Sequence, residues 1–364
     1  MLCILAFVIF LILFPILGFF PEYRKYFRKS WACVFKKITL KPCDINLGEE
    51  LKSKFISKLF NMNPSFAKFM DKTFTFWAFL FIFINLWSLG YMAISGLNLW
   101  VYDTCTPKMA EGCSLSADTC SIPVRDMSFG EAYNYNKLDQ WVARPFTDFG
   151  ETLGRVPDRF KTWKAEEYLP PKPTYYSSNN DKPLAIEAID PSCQFCKKLF
   201  QNIKSSNFSS KYKLTYIAYP IPDNSKPNGY RFPHSLLISQ YLEATKSIQP
   251  ANSQRQVSGD WQLLEKIFTG KYDGQEYQEL FNYTYSTKPE EAEKILSNTL
   301  LDIGYSQAQV NEIKQKSQTD EVKNNLSKHR EIVDKQIRTV KIPTIIFNGR
   351  RYDRTLDADY LNKN

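Results

Sequence analysis

Residues 184–200 read LAIEAIDPSCQFCKKLF, an apolar run that is followed, after Asp-Pro-Ser, by two cysteines separated by two residues. The apolar run predicts a buried strand over residues 184–189, and the residues after it predict a helix over about 194–204. This order places Cys193 at the start of a helix, where unpaired N–H groups and the helix dipole favour an anion. Because only a thiolate attacks a disulfide, the position favours a redox-active cysteine.

A second signal lies far downstream, where residues 341–347 read KIPTIIF. Proline cannot donate a hydrogen bond to a sheet, so the place of Pro343 at the start of an apolar strand indicates a specific structural role. We predict a cis bond at Pro343 that brings the backbone of Ile342 against the cysteine pair. The alternative is a trans proline on an edge strand. The Asn-Gly pair at 348–349 predicts a hairpin to a last short strand.

A pair of cysteines at this spacing also occurs in zinc sites and in structural disulfides. A zinc site needs two further ligands, and the same part of the chain offers only His234 and His329 as histidines. The strand before the pair and the helix after it favour the redox interpretation, with Cys193 and Cys196 forming the exchangeable bridge. We therefore predict neither a metal nor an organic cofactor.

Glu187 lies in the middle of the predicted strand, six residues before Cys193. A carboxylate among apolar neighbours is costly to desolvate unless it has a partner or a function. As a buried acid it could relay a proton to or from Cys196. The alternative is a solvent-facing residue, or an ion-pair partner of Lys182 or Lys213.

The composition of the 364-residue chain excludes a disordered protein, since 43% of it is hydrophobic and 15% aromatic. The formal net charge is +9, and much of the excess falls between residues 24 and 72. That basic stretch lies between two hydrophobic segments, so we interpret it as a signal of membrane topology and predict no nucleic-acid partner.

The two hydrophobic segments are long enough to cross a bilayer, which predicts transmembrane helices over residues 1–20 and 74–101. The positive-inside rule then places the basic loop, residues 21–73, in the cytoplasm and everything after residue 101 outside. In the alternatives, the first segment is a cleaved signal and the second a buried soluble helix. The predicted location is the cell membrane, with the N-terminus and the cysteine pair extracytoplasmic.

The predicted extracytoplasmic part has two regions. Residues 102–180 have the composition of a cysteine-containing stalk and a proline-rich linker. Residues 181–364 are predicted to form an α/β domain with a large helical insertion at about 225–335.

Six cysteines lie outside the pair: Cys3, Cys33, Cys43, Cys105, Cys113 and Cys120. In the predicted topology Cys33 and Cys43 are cytoplasmic and reduced. Two of the last three could form a structural bridge, with the third free or joined to Cys3. A relay that passes electrons between Cys196 and a membrane partner is the alternative.

Residues 183–352 resemble the DsbA family of thioredoxin-superfamily thiol–disulfide oxidoreductases. The residues that carry the resemblance are LAIEAIDPSCQFCKKLF, YIAYPIP with the following Pro233-His234, WQLLEKIF, and TDEVKNNLSKHREIVDKQIRTVKIPTIIFNGRRY. The resemblance implies a thioredoxin-like fold with a helical insertion. It does not cover residues 1 to about 180.

The resemblance also implies roles for individual residues. Cys193 would be the nucleophile, Cys196 the resolving thiol, Pro343 the cis-proline and Glu187 the buried acid. Client proteins would contact three residues near the pair, namely Ile342, Gln194 and Phe195. The implied partners are client proteins with free or paired cysteines and a quinone-linked membrane protein that reoxidises the site.

The dipeptide between the cysteines, Gln194-Phe195, differs from that of well-known family members, and this dipeptide tunes the redox poise. The reduction potentials of related cysteine pairs span roughly −270 to −120 mV, so the motif leaves the direction of electron flow open. An extracytoplasmic location favours the oxidation of client thiols. The alternatives are a reductase or isomerase that uses the same pair, and a non-catalytic thioredoxin-like module that binds clients.

Overall fold

The computed structural model describes residues 52–53, 56–57, 59–61, 63–105, 107, 118–122, 127–176, 181–250, 257–282 and 288–364. Its contacts divide the chain into two units, residues 1–96 and 97–364. The fold and the site described below belong to the second unit.

One long helix, α1 (Pro64–Tyr102), covers the second hydrophobic segment of the sequence. Many of its aromatic side chains are exposed, among them Phe76, Phe79 and Phe83. Across the described residues, no helix combines the length and the apolar character that a membrane crossing requires. The predicted span at 74–101 is therefore unsupported, and the predicted span at 1–20 lies outside the described residues.

The second unit is built on a mixed four-stranded sheet with the strand order β3-β2-β7-β8. The strands that the structure describes are β1 (Cys120–Ser121), β2 (Leu184–Ile189), β3 (Lys213–Ala218), β4 (Lys271–Tyr272), β5 (Gln275–Glu276), β6 (Lys341–Ile342), β7 (Thr344–Phe347) and β8 (Arg350–Tyr352). Strands β2 and β3 are parallel, whereas β7 is antiparallel to both β2 and β8. The predicted strand over 184–189 and the predicted hairpin after β7 are both present.

Helices cover the sheet and fill the connection from β3 to β6. After α1 they are α2 (Phe129–Asn134), α3 (Leu138–Leu153), α4 (Gln194–Ser205), α5 (Phe208–Lys211), α6 (Ser235–Thr245), α7 (Gly259–Thr269), α8 (Tyr277–Asn282), α9 (Pro289–Asp302), α10 (Gln307–Ser317), α11 (Asp320–Glu331) and α12 (Ala358–Lys363). A π-helical turn, Ile332–Ile337, continues α11 toward β6. The α/β architecture with a large helical insertion is thus confirmed.

Aromatic packing fixes α4 against the insertion. Trp261 of α7 is fully buried and lies edge-on to Tyr216 of β3, with ring centroids 4.7 Å apart. Phe200 of α4 stacks on the same indole at 6.3 Å and contacts Phe268 at 5.7 Å. Because such large rings interlock and exclude water, they hold α4, and with it the cysteine pair, in one position on the sheet.

Residues before position 181, in the stretch predicted to be a stalk and linker, also pack into this core. Trp163 and Tyr168 are only 4% and 3% exposed. The Trp163 N–H donates to the Gly349 carbonyl at 2.9 Å, and the Tyr176 N–H donates to the Leu214 carbonyl at 3.0 Å. These contacts join separate parts of the chain, so composition along the sequence could not reveal them.

Candidate redox site

Cys193 is the N-cap residue of α4, in extended conformation with φ −79° and ψ 124°. A turn held by Asp190 sets this geometry. One oxygen of the Asp190 carboxylate accepts a hydrogen bond from the Ser192 N–H at 2.8 Å, and the backbone carbonyl of Asp190 accepts one from the Cys193 N–H at 3.0 Å. The same side chain accepts the Ile221 N–H at 2.8 Å and the Ser235 hydroxyl at 2.7 Å. Asp190 therefore ties the start of α4 to the end of β3 and the start of α6.

Two buried acids lie near the pair. Burial raises the pKa of Glu187 to about 8, and its Oε1 has no hydrogen-bond partner. Burial also raises the pKa of Asp190 to about 6, although the hydrogen bonds from Ser235, Ile221 and Ser192 oppose the shift. Glu187 is thus mostly protonated at neutral pH, in agreement with a buried acid rather than with the solvent-facing alternative.

Cys196 is a fully buried thiol that takes part in no disulfide. Its burial raises its pKa well above the ordinary value, and the charges of Glu187 and then Asp190 add to the shift. Because i and i+3 positions share a face of a helix, Cys196 lies one turn below Cys193. Cys196 is therefore held as a thiol until its proton can leave.

The peptide bond between Ile342 and Pro343 is cis, the geometry that the sequence predicts. It joins β6 to β7, and β7 pairs with β2, the strand that leads to the cysteines. The Thr344 hydroxyl donates to the Lys341 carbonyl at 2.7 Å and so closes the turn around the proline.

The disulfide at this site joins Cys193 to Cys120, a pairing that the sequence does not predict. Cys196 is a free thiol in this state, and its exchangeable bridge with Cys193 stays a prediction. The predicted structural bridge among Cys105, Cys113 and Cys120 does not use Cys120, and Cys113 lies outside the described residues. Tertiary contacts decide this pairing, because 73 residues separate the two bonded cysteines.

The chain around Cys120 is bound to the site as an added strand. Strand β1 pairs antiparallel with β6, so that Cys120 lies opposite Ile342 and Ser121 opposite Lys341. The Ile122 N–H extends the ladder by donating to the Val340 carbonyl at 2.9 Å. The predicted client-binding backbone at Ile342 is therefore occupied by a segment of the same chain.

Side chains hold both ends of this segment. Arg231 Nη1 donates to the Ser121 carbonyl at 2.7 Å. At the other end, the Thr355 hydroxyl and N–H donate to the Asp118 carbonyl at 2.8 and 3.3 Å. Lys198 of α4 lies 3.4 Å from the Asp118 carboxylate. Residues 118–122, called the docked segment below, thus contact four parts of the domain.

The remaining predicted site residues lie around the same point. Gln194 is exposed, and Phe195 is half-buried against the core. Sequence reasoning missed Arg231, Thr355 and Gln278, whose Nε2 donates to the Cys193 carbonyl at 3.1 Å. No local pattern marks these three residues, because each reaches the site from a separate loop or helix. Within the described ranges, no group of three or more potential metal ligands occurs.

No protein-family model and no curated protein matches the chain. The matches that comparison with known proteins gives are all solved structures. A thioredoxin-like oxidoreductase from Silicibacter pomeroyi DSS-3 is 11% identical, with 53% of this chain and 90% of that chain covered and a TM-score of 0.37. The thiol-disulfide exchange protein alpha-DsbA2 from Wolbachia pipientis is 21% identical, with 52% and 84% covered and a TM-score of 0.35. ScsC from Proteus mirabilis is 11% identical, with 64% and 94% covered and a TM-score of 0.37. At these identities and TM-scores the function has to be argued from the site itself.

Proposed function

We propose that this protein is a thiol–disulfide oxidoreductase in which Cys193 exchanges disulfides with client proteins and Cys196 resolves them. One observation carries the proposal: the N-cap cysteine of α4 is disulfide-bonded to a peptide that is paired as a strand beside the cis-proline. A site that binds an extended peptide through its backbone and bonds a cysteine of that peptide has what disulfide exchange with a client requires.

The proposed reaction oxidises the client. A client thiolate attacks Cys193 Sγ of a Cys193–Cys196 disulfide, and Cys196 leaves as a thiolate. The second client thiolate then attacks the client sulfur of the mixed disulfide, and Cys193 leaves as a thiolate at the start of α4. Two electrons pass from the client to the enzyme, and a quinone-linked membrane protein, as proposed reoxidant, removes them.

Protonation of Cys196 favours its departure in the first step. The pKa of this thiol lies well above its ordinary value, so its thiolate is a poor leaving group unless it receives a proton. Glu187, with its pKa raised to about 8, holds a proton at neutral pH and interacts electrostatically with Cys196. We assign to Glu187 the transfer of this proton.

Two variants test the proposal. Cys193→Ser should abolish the oxidation of a dithiol peptide. Cys196→Ala, combined with Cys120→Ser so that Cys120 cannot bond to Cys193 in place of the client, should instead accumulate mixed disulfides between Cys193 and the client, visible as mass adducts that a reductant removes. An absence of adducts together with full retention of binding would favour the non-catalytic client-binding module. The reduction potential measured against glutathione distinguishes an oxidase from a reductase or isomerase.

We propose an extracytoplasmic location for this chemistry, supported by the basic residues 21–73 between two hydrophobic segments. Cells that produce the full chain should retain it in the membrane fraction after alkaline extraction. External protease should degrade residues 181–364 in intact spheroplasts. Release of the protein by alkali, or protection of this region, would contradict the proposed location.

A further inference from the structure

We propose that Cys120 is a third redox-active cysteine and that the docked segment is a tethered client. In the Cys193–Cys120 form, this segment occupies the edge of β6 that external clients need. The inference rests on the proposed exchange at Cys193 and adds a reaction partner that the chain itself supplies.

The way the segment is bound distinguishes it from an ordinary structural staple. A staple requires only two sulfur atoms at bonding distance, whereas Cys120 also lies in strand register with Ile342. The hydrogen bonds involve backbone atoms of the segment, at Asp118, Ser121 and Ile122. Backbone pairing at a strand edge is how proteins bind extended peptides of varied sequence. A client peptide could make the same bonds, so the segment and a client compete for one place.

The disulfide also involves the cysteine that performs the exchange. Cys193 is the N-cap of α4, and the buried thiol of Cys196 lies one helical turn away in the same helix. A disulfide that has a third thiol beside it can rearrange by internal exchange. The site therefore contains, in one chain, the three sulfur atoms that such an exchange requires: those of Cys120, Cys193 and Cys196.

The exchange balances without an external oxidant. Cys196 loses its proton to water, and its thiolate attacks Cys193 Sγ. The Cys193–Cys196 bond forms while the Cys193–Cys120 bond breaks. Cys120 leaves as a thiolate and takes up one proton, so that the number of disulfides and thiols is unchanged. The freed segment can then leave β6, and an external client can enter.

Tethering gives the segment an advantage over free clients. A flexible linker gives a tethered group an effective concentration in the millimolar range, well above a client present at micromolar concentration. The segment should therefore slow the reaction with weakly binding thiols. Clients that pair better with β6, or that interact with Arg231 as Ser121 does, displace it more readily.

The first test maps the disulfide in the full-length Cys196→Ser variant after oxidation and acid quenching. Trypsin should release residues 109–125 linked to residues 165–197, with fragmentation placing the bond between Cys120 and Cys193. The matched control, Cys113→Ser in the same background, should keep this linkage, and Cys120→Ser should lose it. A linkage through Cys113, or no linkage between the two peptides, would overturn the proposal.

The second test measures how fast the oxidised full-length protein oxidises a dithiol peptide at micromolar concentration. The Cys120→Ser variant should react roughly tenfold faster or more, because the tethered competitor is lost. Cys113→Ser should react at the wild-type rate. A Cys120→Ser rate equal to or below that of the wild type would contradict the tethered-client role.

The two tests separate this inference from the proposed function. If no variant oxidises the peptide, the proposed oxidase function fails, while the peptide map still reports whether Cys120 bonds to Cys193. If the peptide is oxidised in a Cys193-dependent way and the map shows no Cys120 linkage, the proposed function stands and the tethered client is refuted.

Discussion

The Glu187 carboxyl and the Cys196 thiol interact inside the domain, and neither is exposed to water. For both groups desolvation is the largest cause of the raised pKa, so both stay protonated at neutral pH. The charge of an ionised Glu187 would further oppose the formation of the Cys196 thiolate. Burial therefore controls when Cys196 can act.

The raised pKa of Glu187 makes the stability of the fold depend on pH. The folded pKa is about 8 against an unfolded value near 4.5, so the stabilisation is complete below pH 4.5 and is lost as pH rises toward 8. Glu187→Gln removes this dependence. Relative to the wild type, the variant should gain about 2 to 4 kcal/mol in unfolding free energy between pH 5 and pH 8. Urea unfolding at the two pH values measures the gain, and a difference that does not change with pH would refute this origin.

Asp190 is predicted to be a structural requirement for the site. Asp190→Ala leaves the Ser192 N–H, the Ile221 N–H and the Ser235 hydroxyl without their acceptor. Because buried donors without partners are costly, we expect a loss of about 3 kcal/mol in unfolding free energy. The control is Asp302→Ala, which removes an exposed carboxylate and should change stability by less than about 0.5 kcal/mol. Equal effects of the two substitutions would show that the Asp190 turn does not hold the site.

Charged groups are buried where α6 meets α11. Lys246 lies 2.6 Å from Glu243, and both side chains are almost fully buried. Asn325 donates to the same carboxylate at 2.9 Å. His329 of α11 donates from Nδ1 to the Ala218 carbonyl at 3.2 Å, and burial lowers its pKa to about 3, so its ring is neutral. This cluster fixes the insertion to the edge of the sheet that carries β3.

Removing one member of the buried ion pair should destabilise this interface. Lys246→Met leaves the Glu243 charge buried without its cation, at a cost of about 3 kcal/mol or more. The control is Lys335→Met, since Lys335 pairs with Glu331 at 3.0 Å on an exposed helical face. That substitution should cost less than about 0.5 kcal/mol. If thermal unfolding shows equal losses, the buried pair contributes no more than a surface pair.

The domain needs residues that precede its first central strand. Trp163 and Tyr168 fill the core beside the sheet, and the docked segment completes the cysteine site. A fragment that starts at residue 181 loses both, whereas a fragment that starts at residue 97 keeps them.

The shorter fragment should be less stable by roughly 3 to 5 kcal/mol, because two large aromatic side chains are no longer buried against the core. The comparison requires urea unfolding of both fragments in the Cys120→Ser background, so that the disulfide does not contribute. Equal midpoints and slopes would show that residues 97–180 add nothing to the folded domain.

Elements with local signals follow from the amino-acid sequence alone. The apolar run before Cys193, the spacing to Cys196 and the proline before TIIF each lie within a few residues. The preferences of those residues therefore suffice to predict strand β2 and helix α4, whereas the cis bond at Pro343 follows from the place of the proline at the start of an apolar strand.

The choice of the cysteine that bonds to Cys193 depends instead on contacts between distant parts of the chain. Eight cysteines allow many pairings, and sequence spacing does not rank them. Cys120 reaches Cys193 because β1 pairs with β6, and Arg231 and Thr355 hold the segment there from distant parts of the chain. Such long-range packing depends on the free energy of the whole fold, which no single stretch of sequence contains.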